Sequence, residues 1–282
     1  MLNSFGIQLQ VNGGQWQKVI NMKKLIYILL IFVFGFKSEK KTPVKYRSFY
    51  IEMKRLEKPE RVTAFAAVQT SSQTVTGSVT SATITLAATS VNNLVVVHIF
   101  LLTAAITVTS VTDNGSNTYE VGSALAHPAG VNVYQAYGVQ TTSSTTVTIN
   151  FSGTTSVRRG ADEYSGFTGG GAINNANVFD VKSTGTGTGT ALSVSTFTPA
   201  ASGELVVASG FLTSGRTWTA GAGYTLYNGS NPIGMRSQYN LSATTSETAP
   251  FTISSSTDWG EIATAFKVPA SSANTTNFFF NP

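Results

Sequence analysis

Cysteine is absent from the chain, and charged residues and histidine are scarce among its 282 residues. Without cysteine there can be no disulfide bond, thiolate metal ligand or cysteine nucleophile. Charged residues make up 11% of the chain, against about 25% in a typical soluble domain, and there are 2 histidines. A secreted protein of this size does not need disulfides, so their absence leaves the cellular compartment open.

The few charges are distributed unevenly along the chain. Residues 1–61 contain 12 Lys and Arg against 4 Asp and Glu, whereas residues 62–282 contain 6 against 9. The positive charge therefore belongs to the N-terminal segment, and the rest of the sequence has no basic patch interleaved with aromatic residues. Binding to nucleic acid requires such a patch to neutralise phosphates, so we expect no nucleic-acid partner.

A positive start followed by a short apolar run near the N-terminus is typical of a secretory signal. Two lysines precede the apolar residues 25–36, LIYILLIFVFGF. This run is shorter than the roughly 20 apolar residues of a membrane span, although an uncleaved anchor and a buried segment remain alternatives. We assign residues 1–36 to an N-terminal extension with an export signal or anchor, and residues 37–62 to a charged connector, with a short helix expected near 50–58. The predicted location is secreted or cell-surface, with membrane contact only through this segment.

Beyond residue 62 the sequence has the pattern of an all-β protein. Apolar and polar residues alternate in SATITL (81–86), VNVY (131–134) and TTVTINF (145–151), and such alternation predicts strands with one buried face. Turn signals such as Asp-Asn-Gly and Asn-Gly recur at short intervals. Many short strands separated by regular turns predict a sandwich or a barrel.

The strand pattern occurs twice. Residues 83–97 (TITLAATSVNNLVVV) align with 193–208 (SVSTFTPAASGELVVA), and the later parts of both copies align in the same order. We therefore predict a first β repeat over 63–182, a Gly/Thr linker over 183–189 and a second β repeat over 190–268, followed by a tail over 269–282. The aligned pairs include Leu94 with Leu205, Tyr137 with Tyr239, and Asp162 with Thr264.

A duplicated half suggests one double-sheet, jelly-roll-like sandwich of two homologous halves. We expect that one copy cannot bury its own inner face, whereas two copies face to face can. In this arrangement the two LVV runs are the most buried strands. Two tandem immunoglobulin-like sandwiches, joined at the Gly/Thr linker, are the alternative.

Three motifs resemble a widespread group of uncharacterised bacterial secreted β-sandwich modules. They are NNLVVV (92–97), TSVTDNGSNTY (109–119) and GADEYSGF (160–167), which are similar to the (D/N)LLVV, SVTDSAGNTY and AEYSGL patterns of that group. The resemblance covers residues 75–268 and implies a jelly-roll-like fold on exported, often multi-domain surface proteins. It implies no activity, because the group has no catalytic motif to transfer. The chain departs from the pattern at Asn114 and Ser116 in the turn and at His98 in the buried strand.

The loop that contains Asp113, Asn114 and Asn117 is a candidate calcium site. Its side-chain oxygens are closely spaced, as calcium coordination requires. The alternative is a hairpin turn in which Asp and Asn cap their own backbone. We expect no cofactor, with Ca²⁺ at this loop as the one exception considered.

Four aromatic residues and one histidine are candidate ligand-binding residues. Sugar rings stack on exposed aromatic side chains of β-sandwiches, and Trp218, Tyr224, Tyr227 and Trp259 are the candidates for this role. His127 lies in a loop that the second copy shortens, and binding functions are often added in such loops. The alternative is that the aromatic residues belong to the core.

Adjacent carboxylates at Asp162 and Glu163 lie on a predicted strand, where neighbouring side chains point to opposite faces. One of them should therefore be buried and need a partner, for which Arg158 or Arg159 is the nearest candidate. We expect a structural ion pair there. His98, in VVVHIF, is expected to be a buried imidazole whose hydrogen bonds are satisfied.

The sequence contains no nucleophile elbow, P-loop or dinucleotide motif, so we predict that the protein is not an enzyme. The function expected is a non-enzymatic extracellular surface module for adhesion or structure, with carbohydrate binding as its most specific activity. A glycan or another surface ligand is the expected partner. The alternative is a self-assembling structural protein, such as a filament subunit or a virion surface protein, that associates through the C-terminal tail.

Overall fold

A computed structural model of the chain describes residues 5–11, 14–20, 52–54, 64–71, 74–167, 173–227, 234–243, 246–267 and 275–277. The predicted export signal at 25–36 lies outside these residues. The chain divides into two compact units, one within Met1–Arg61 and Ser271–Pro282 and the other within Val62–Ala270.

Among the described residues, strands make up nearly all of the regular structure, together with one short helix. In chain order they are β1 (Phe5–Val11), β2 (Gly14–Ile20), β3 (Glu52–Lys54), β4 (Ala66–Thr70), β5 (Thr74–Thr85), β6 (Leu94–Leu101), β7 (Val108–Asp113), β8 (Glu120–Val121), β9 (Leu125–Ala126), β10 (Asn132–Val139), β11 (Thr146–Ser165), α1 (Asn175–Val178), β12 (Phe179–Leu192), β13 (Glu204–Leu212), β14 (Trp218–Ala220), β15 (Thr225–Leu226), β16 (Met235–Ala243), β17 (Phe251–Phe266) and β18 (Thr275–Asn277).

The first unit contains a four-stranded antiparallel sheet in the order β18-β3-β1-β2. Residues Glu52–Lys54 are a strand in this sheet, where the sequence predicted a short helix. The tail strand β18 pairs with β3, so that Thr276 lies opposite Met53. Strands β1 and β2 were not predicted, although apolar and polar residues alternate in FGIQLQV.

The second unit is an all-β sandwich of two antiparallel sheets, which confirms the predicted fold class. The first sheet has the order β4-β11-β6-β10-β8, with β5 and β7 also paired to β11 and β9 paired to β10. The second sheet has the order β12-β17-β13-β16-β15, with β14 also paired to β17. Both the jelly-roll-like and the immunoglobulin-like alternatives are compatible with this arrangement.

The two LVV runs form the central strands β6 and β13, in which every residue is buried. Alternate residues of β6 face two different layers, as the pleat of a strand requires. Val95, Val97 and Ile99 pack within the first sheet's own half. Leu94 and Val96 instead pack against Leu205 and Val207 of β13. The runs are therefore covered on both faces, and the prediction that they are the most buried strands is confirmed.

The long strands β11 and β17 allow each half to build a core of its own. Residues 146–151 of β11 pair with β5 and β7, whereas residues 157–165 pair with β6 on one side and with β5 and then β4 on the other. The register is irregular between the two stretches. One strand thus contributes to two layers. The prediction that one copy cannot bury its inner face is wrong, because each half closes over a core of its own and also shares a layer with the other half. The separate cores contain Ile84, Val147 and Ile149 in the first half and Leu192, Trp218 and Phe251 in the second.

Strand pairing in the two sheets follows the alignment of the two copies. In the first sheet, β6 lies between β10 and β11. In the second sheet, β13 lies between β16 and β17 in the same way, and aligned residues of the two copies are paired with each other's equivalents. The corresponding pairs are Val96–Tyr137 and Val207–Tyr239, together with Val97–Ala161 and Ala208–Ala263.

The Gly/Thr run at 183–189, predicted to be a linker, lies within strand β12. Its threonines at 186 and 188 are exposed, and its glycines at 185 and 187 are half-buried, which is the alternation of a strand. A Cβ atom on Gly187 would lie 2.7 Å from the ring of Trp259. Glycine is required at 187 because the indole packs directly on the strand backbone.

Candidate functional site: a polar chain between the two sheets

The layer shared by the two sheets is apolar at both ends and polar in the middle. One end contains Leu94, Val96, Leu205 and Val207, and the other contains Phe100, Val133, Phe211, Met235 and Ile262. Between them lie three polar side chains from the first sheet (His98, Gln135 and Asp162) and two from the second (Ser209 and Thr264). We call these five residues the polar chain.

Strand register explains why the five side chains meet. Gln135 lies directly opposite His98 on the neighbouring strand β10, and Asp162 lies opposite Val96, two residues along β6 from His98. In the second sheet Thr264 lies opposite Val207, two residues from Ser209. Side chains two residues apart on a strand share a face, so all five point into the shared layer.

The five side chains form one continuous series of hydrogen bonds. Thr264 Oγ1 donates to Gln135 Oε1 at 2.5 Å, and Gln135 Nε2 donates to Ser209 Oγ at 2.9 Å. Ser209 Oγ lies 2.5 Å from His98 Nδ1, and His98 Nε2 lies 2.8 Å from Asp162 Oδ2. The other oxygen of Asp162 accepts a bond of 2.6 Å from Thr70 Oγ1.

Four of the five residues occupy equivalent positions in the two copies of the repeat. Alignment of the copies sets His98 against Ser209 and Asp162 against Thr264. The first copy therefore carries large polar side chains where the second carries small hydroxyls, and the large groups of one sheet fit against the small groups of the other. Sequence reasoning missed Ser209, Gln135 and Thr264 as a group, although His98 and its aligned partner could have indicated the first of them.

Asp162, His98 and Ser209 form an acid, base and hydroxyl in hydrogen-bond contact, which is the arrangement of a nucleophilic triad. Their exposed fractions are 1%, 1% and 0%. Because the triad is closed between two sheets, its chemistry is restricted to groups that are already inside the layer.

Both carboxylates of the Asp162–Glu163 pair are buried, and neither is paired with an arginine in the way the sequence predicted. Asp162 contacts His98, as described above. Glu163 accepts bonds from the backbone N–H of Ser90 at 2.9 Å and from Asn93 Nδ2 at 2.6 Å. Strand β11 is covered on both faces at this point, so both side chains must find partners inside the protein.

The two arginines make other contacts. Arg158 Nη1 donates to the carbonyl of Leu212 at 2.6 Å, and its guanidinium lies 5.4 Å from the ring centroid of Phe100. Arg159 Nε donates to the carbonyl of Thr83 at 2.7 Å. Arg158 thus joins the first sheet to the end of strand β13 in the second.

The candidate calcium loop is a closed turn. Asp113 Oδ1 accepts from the backbone N–H groups of Gly115 and Asn117, and Oδ2 accepts from Asn117 Nδ2 and Tyr119 Oη. Asn117 Oδ1 accepts from the backbone N–H groups of 141 and 142, and Asn114 Oδ1 accepts from those of 145 and 146. The oxygens proposed as ligands are therefore used to fold the loop. Within the described residues, no group of three or more His, Asp or Glu side chains is arranged to hold a metal ion.

Three of the four candidate stacking residues are core residues. Trp218, Tyr224 and Trp259 are 7%, 9% and 8% exposed and pack in the second half's own core. The fourth, Tyr227, is half-buried and contacts Tyr164 and Tyr239 edge-on at 5.7 and 5.2 Å between ring centroids. The first three rings have little free face on which a sugar could stack.

His127 anchors its loop across the two halves. It is buried beside Phe100, with ring centroids 5.2 Å apart, and its Nε2 lies 3.3 Å from the carbonyl of Phe211. The backbone N–H of Ala129 donates to its Nδ1. Burial lowers the pKa of His127, so the ring is held neutral in the loop.

Two further carboxyl groups are buried in the second half. Neither oxygen of Glu261 has a hydrogen-bond partner among the described residues, and burial raises its pKa well above the ordinary value. Burial also raises the pKa of Glu204 to about 7, with the nearby carboxylate of Asp180 adding to the effect. Both carboxyl groups therefore keep their proton to a higher pH than an exposed glutamate does.

A surface depression of about 510 Å³ lies beside strand β12. Its walls are formed by Leu125 of the first half and by residues of the second half, mainly small side chains and hydroxyls: Thr184, Gly185, Thr186, Ser193, Val194 and Ser195. The depression offers hydroxyl groups to a small polar ligand and no charged side chain.

No helix within the described ranges is long and apolar enough to cross a membrane. Comparison of the chain with protein-family models, with curated proteins and with solved structures finds no match. The resemblance to bacterial secreted β-sandwich modules therefore stays a prediction from the three sequence motifs.

Proposed function

We propose that the chain is a non-enzymatic module of an extracellular surface, where it serves adhesion or structure. The observation that carries this proposal is the polar chain. The groups best suited to chemistry in the described residues, His98, Asp162 and Ser209, are closed between two sheets and hold them together. A substrate from solution would have to separate the sheets to reach them.

The surface composition also supports the proposal. Charged residues are scarce, and many exposed positions of strands β5 and β12 carry threonine or serine. A neutral, hydroxyl-rich surface on a rigid two-sheet body suits a module that is displayed and makes contacts. The apolar run at 25–36, read as an export signal, supplies a route to the cell surface.

Carbohydrate binding is the specific activity that we propose for this module. Because the three buried aromatic rings offer little stacking surface, the proposal rests on the depression beside β12. Its threonine and serine hydroxyls can donate and accept hydrogen bonds with sugar hydroxyls, and Leu125 supplies an apolar wall against which a sugar ring can lie.

Export is tested with the full chain carrying a C-terminal epitope tag in a bacterial host. We expect the tag in the exported fraction, and we expect retention in the cytoplasm when Lys23 and Lys24 are changed to Glu, because the positive start of the signal is lost. A tag that stays in the cytoplasm for both proteins would contradict an extracellular role.

Glycan binding is tested on an array with the purified chain. A hit should weaken in Thr186→Val, which removes an exposed hydroxyl of the depression, and should persist in Thr190→Val, which removes an exposed hydroxyl of the same strand outside it. An array without hits, or equal losses in both variants, would contradict glycan binding at this depression.

Self-assembly is the second candidate function, and the tail strand favours it. Strand β18 pairs with the edge of β3 through three residues on each side. A short strand from a chain terminus can pair in the same way with the sheet edge of another copy. Such an exchange would link copies into dimers or filaments.

Light scattering and electron microscopy of the full chain and of a chain that ends at residue 269 test this candidate. Strand exchange predicts oligomers or fibres that increase with concentration and are lost with the tail. A monomer in both forms would contradict assembly through the tail and leave the surface module as the proposed function.

A further inference from the structure

We propose that Ser209 and Gln135 form an intramolecular ester that joins strand β13 to strand β10 across the two sheets. The inference goes beyond the proposed function, because it concerns one reaction of the protein with itself. It rests on the direct contact between the Ser209 hydroxyl of the triad and the carboxamide of Gln135.

Asp162 and His98 prepare Ser209 to act as a nucleophile. Because an ionised carboxylate can only accept, His98 Nε2–H donates to Asp162 Oδ2. The tautomer protonated at Nε2 is therefore favoured, and the lone pair is left on Nδ1. That lone pair faces Ser209 Oγ at 2.5 Å. His98 is thus in place to remove the hydroxyl proton.

Gln135 provides the electrophile and Thr264 supports it. The carboxamide nitrogen of Gln135 lies 2.9 Å from Ser209 Oγ, so the carbonyl carbon is one bond away from an atom already in contact with the nucleophile. The carboxamide oxygen accepts a hydrogen bond of 2.5 Å from Thr264 Oγ1. The Thr264 hydroxyl is therefore directed at the atom on which negative charge would develop during attack.

The reaction is a simple acyl transfer. Rotation about the last side-chain bond of Gln135, which is soft in a carboxamide, turns one face of the carboxamide carbon toward Ser209 Oγ. Ser209 Oγ forms a bond to Cδ as its proton moves to His98 Nδ1. The tetrahedral intermediate then collapses, the C–N bond breaks, and His98 returns the proton to the departing nitrogen. The products are an ester and one ammonia, with no oxidation or reduction.

Burial favours both the formation and the survival of such a bond. Gln135, Ser209 and Thr264 are 3%, 0% and 2% exposed, so water is kept away from the ester that would otherwise be hydrolysed. The reacting groups are held by strands of one compact unit, and such intramolecular positioning corresponds to effective concentrations of about 10⁵ M or more. The product would fasten the two halves of a surface module covalently without cysteine.

Peptide mass spectrometry of the full-length purified chain tests the proposal. Trypsin separates Gln135 from Ser209, because Arg158 and Lys182 lie between them. We expect the peptides that carry these two residues to appear as one species, lighter than their sum by one ammonia, about 17 Da. Hydroxylamine cleaves esters and should separate the joined peptides. Two unlinked peptides of full mass in the untreated digest would overturn the proposal.

Variants identify the nucleophile and its activation. Ser209→Ala should abolish the link, whereas the matched control Ser237→Ala should keep it, since Ser237 is equally buried and lies opposite Ser209 on β16. Asp162→Asn should slow linking, because it no longer favours the required tautomer of His98. Near-native circular dichroism is required of each variant that is scored. A link that persists in Ser209→Ala would overturn the assignment of Ser209.

Discussion

Ile149→Ala tests whether the two halves unfold together, because it perturbs one half while the fluorescent residues lie in the other. Ile149 is fully buried in the first half's own core. Trp218 and Trp259 lie in the second half's own core, and the third tryptophan of the chain, Trp16, can be replaced with Phe to leave only these two. The intrinsic fluorescence then reports the second half alone.

The expected loss follows from the size of the deletion. Replacement of a buried Ile by Ala removes methyl and methylene groups and leaves a cavity, at a cost of about 2–5 kcal/mol. Because the two halves share an apolar layer and the polar chain, this loss should appear in the tryptophan transition of the second half. Phe211→Ala, at the shared layer itself, should lower the same transition by about 3–5 kcal/mol.

Urea unfolding monitored by tryptophan fluorescence measures the loss of stability in Ile149→Ala and in Phe211→Ala. Val68→Ala is the matched surface control, since Val68 is 49% exposed and its loss should change the free energy of unfolding by about 0.5 kcal/mol or less. A tryptophan transition that does not move in Ile149→Ala would refute the coupling of the halves and favour two independent sandwiches.

Three further predictions concern single positions. Burial raises the pKa of Glu204 from 4.5 to about 7, so between these values the native state keeps a proton that the unfolded state releases. Stability should therefore fall as the pH rises through this range. Glu204→Gln should flatten that fall in urea midpoints measured between pH 4 and 8. Gly187→Ala should lower the melting temperature, at a cost of about 1–3 kcal/mol, because its Cβ would meet the Trp259 ring at 2.7 Å; Gly77→Ala, whose Cβ meets its nearest neighbour at 3.5 Å, is the control and should change little. Asp113→Ala should cost at least about 2 kcal/mol, since several donors lose their acceptor; millimolar Ca²⁺ should leave the melting temperature of the unaltered protein unchanged, and a clear rise would contradict the assignment of the loop as a turn.

The fold class could be predicted because its signals are local. Alternation in segments such as 145–151 and the repeated LVV runs depend only on which residues are apolar and how they are spaced. Both survive in the structure as strands β11, β6 and β13. The Gly/Thr run of β12 also alternates, but its half-buried positions are glycines and not apolar side chains. The run was therefore not recognised as a strand from the sequence.

The polar chain could not be predicted in the same way, because it depends on how two sheets dock. The buried imidazole at His98 was predicted, and its hydrogen bonds are confirmed. Its partners come from β10, β11 and β13, which are distant in sequence, and Arg158 was a more obvious partner for Asp162 by proximity along the chain. Only the aligned pair His98 and Ser209, compared across the two copies, carried any sequence signal of the contact.

We conclude that a shared layer makes the two halves one body. The most direct measurement is the folding of the fragments 62–170 and 171–270, expressed separately and then mixed, by circular dichroism and light scattering. Each fragment alone exposes the apolar face that contains Leu94 and Val96 or Leu205 and Val207, so we predict that neither is a folded monomer and that the mixture forms a folded one-to-one complex. Two fragments that each fold cooperatively as monomers, with no association on mixing, would contradict the claim.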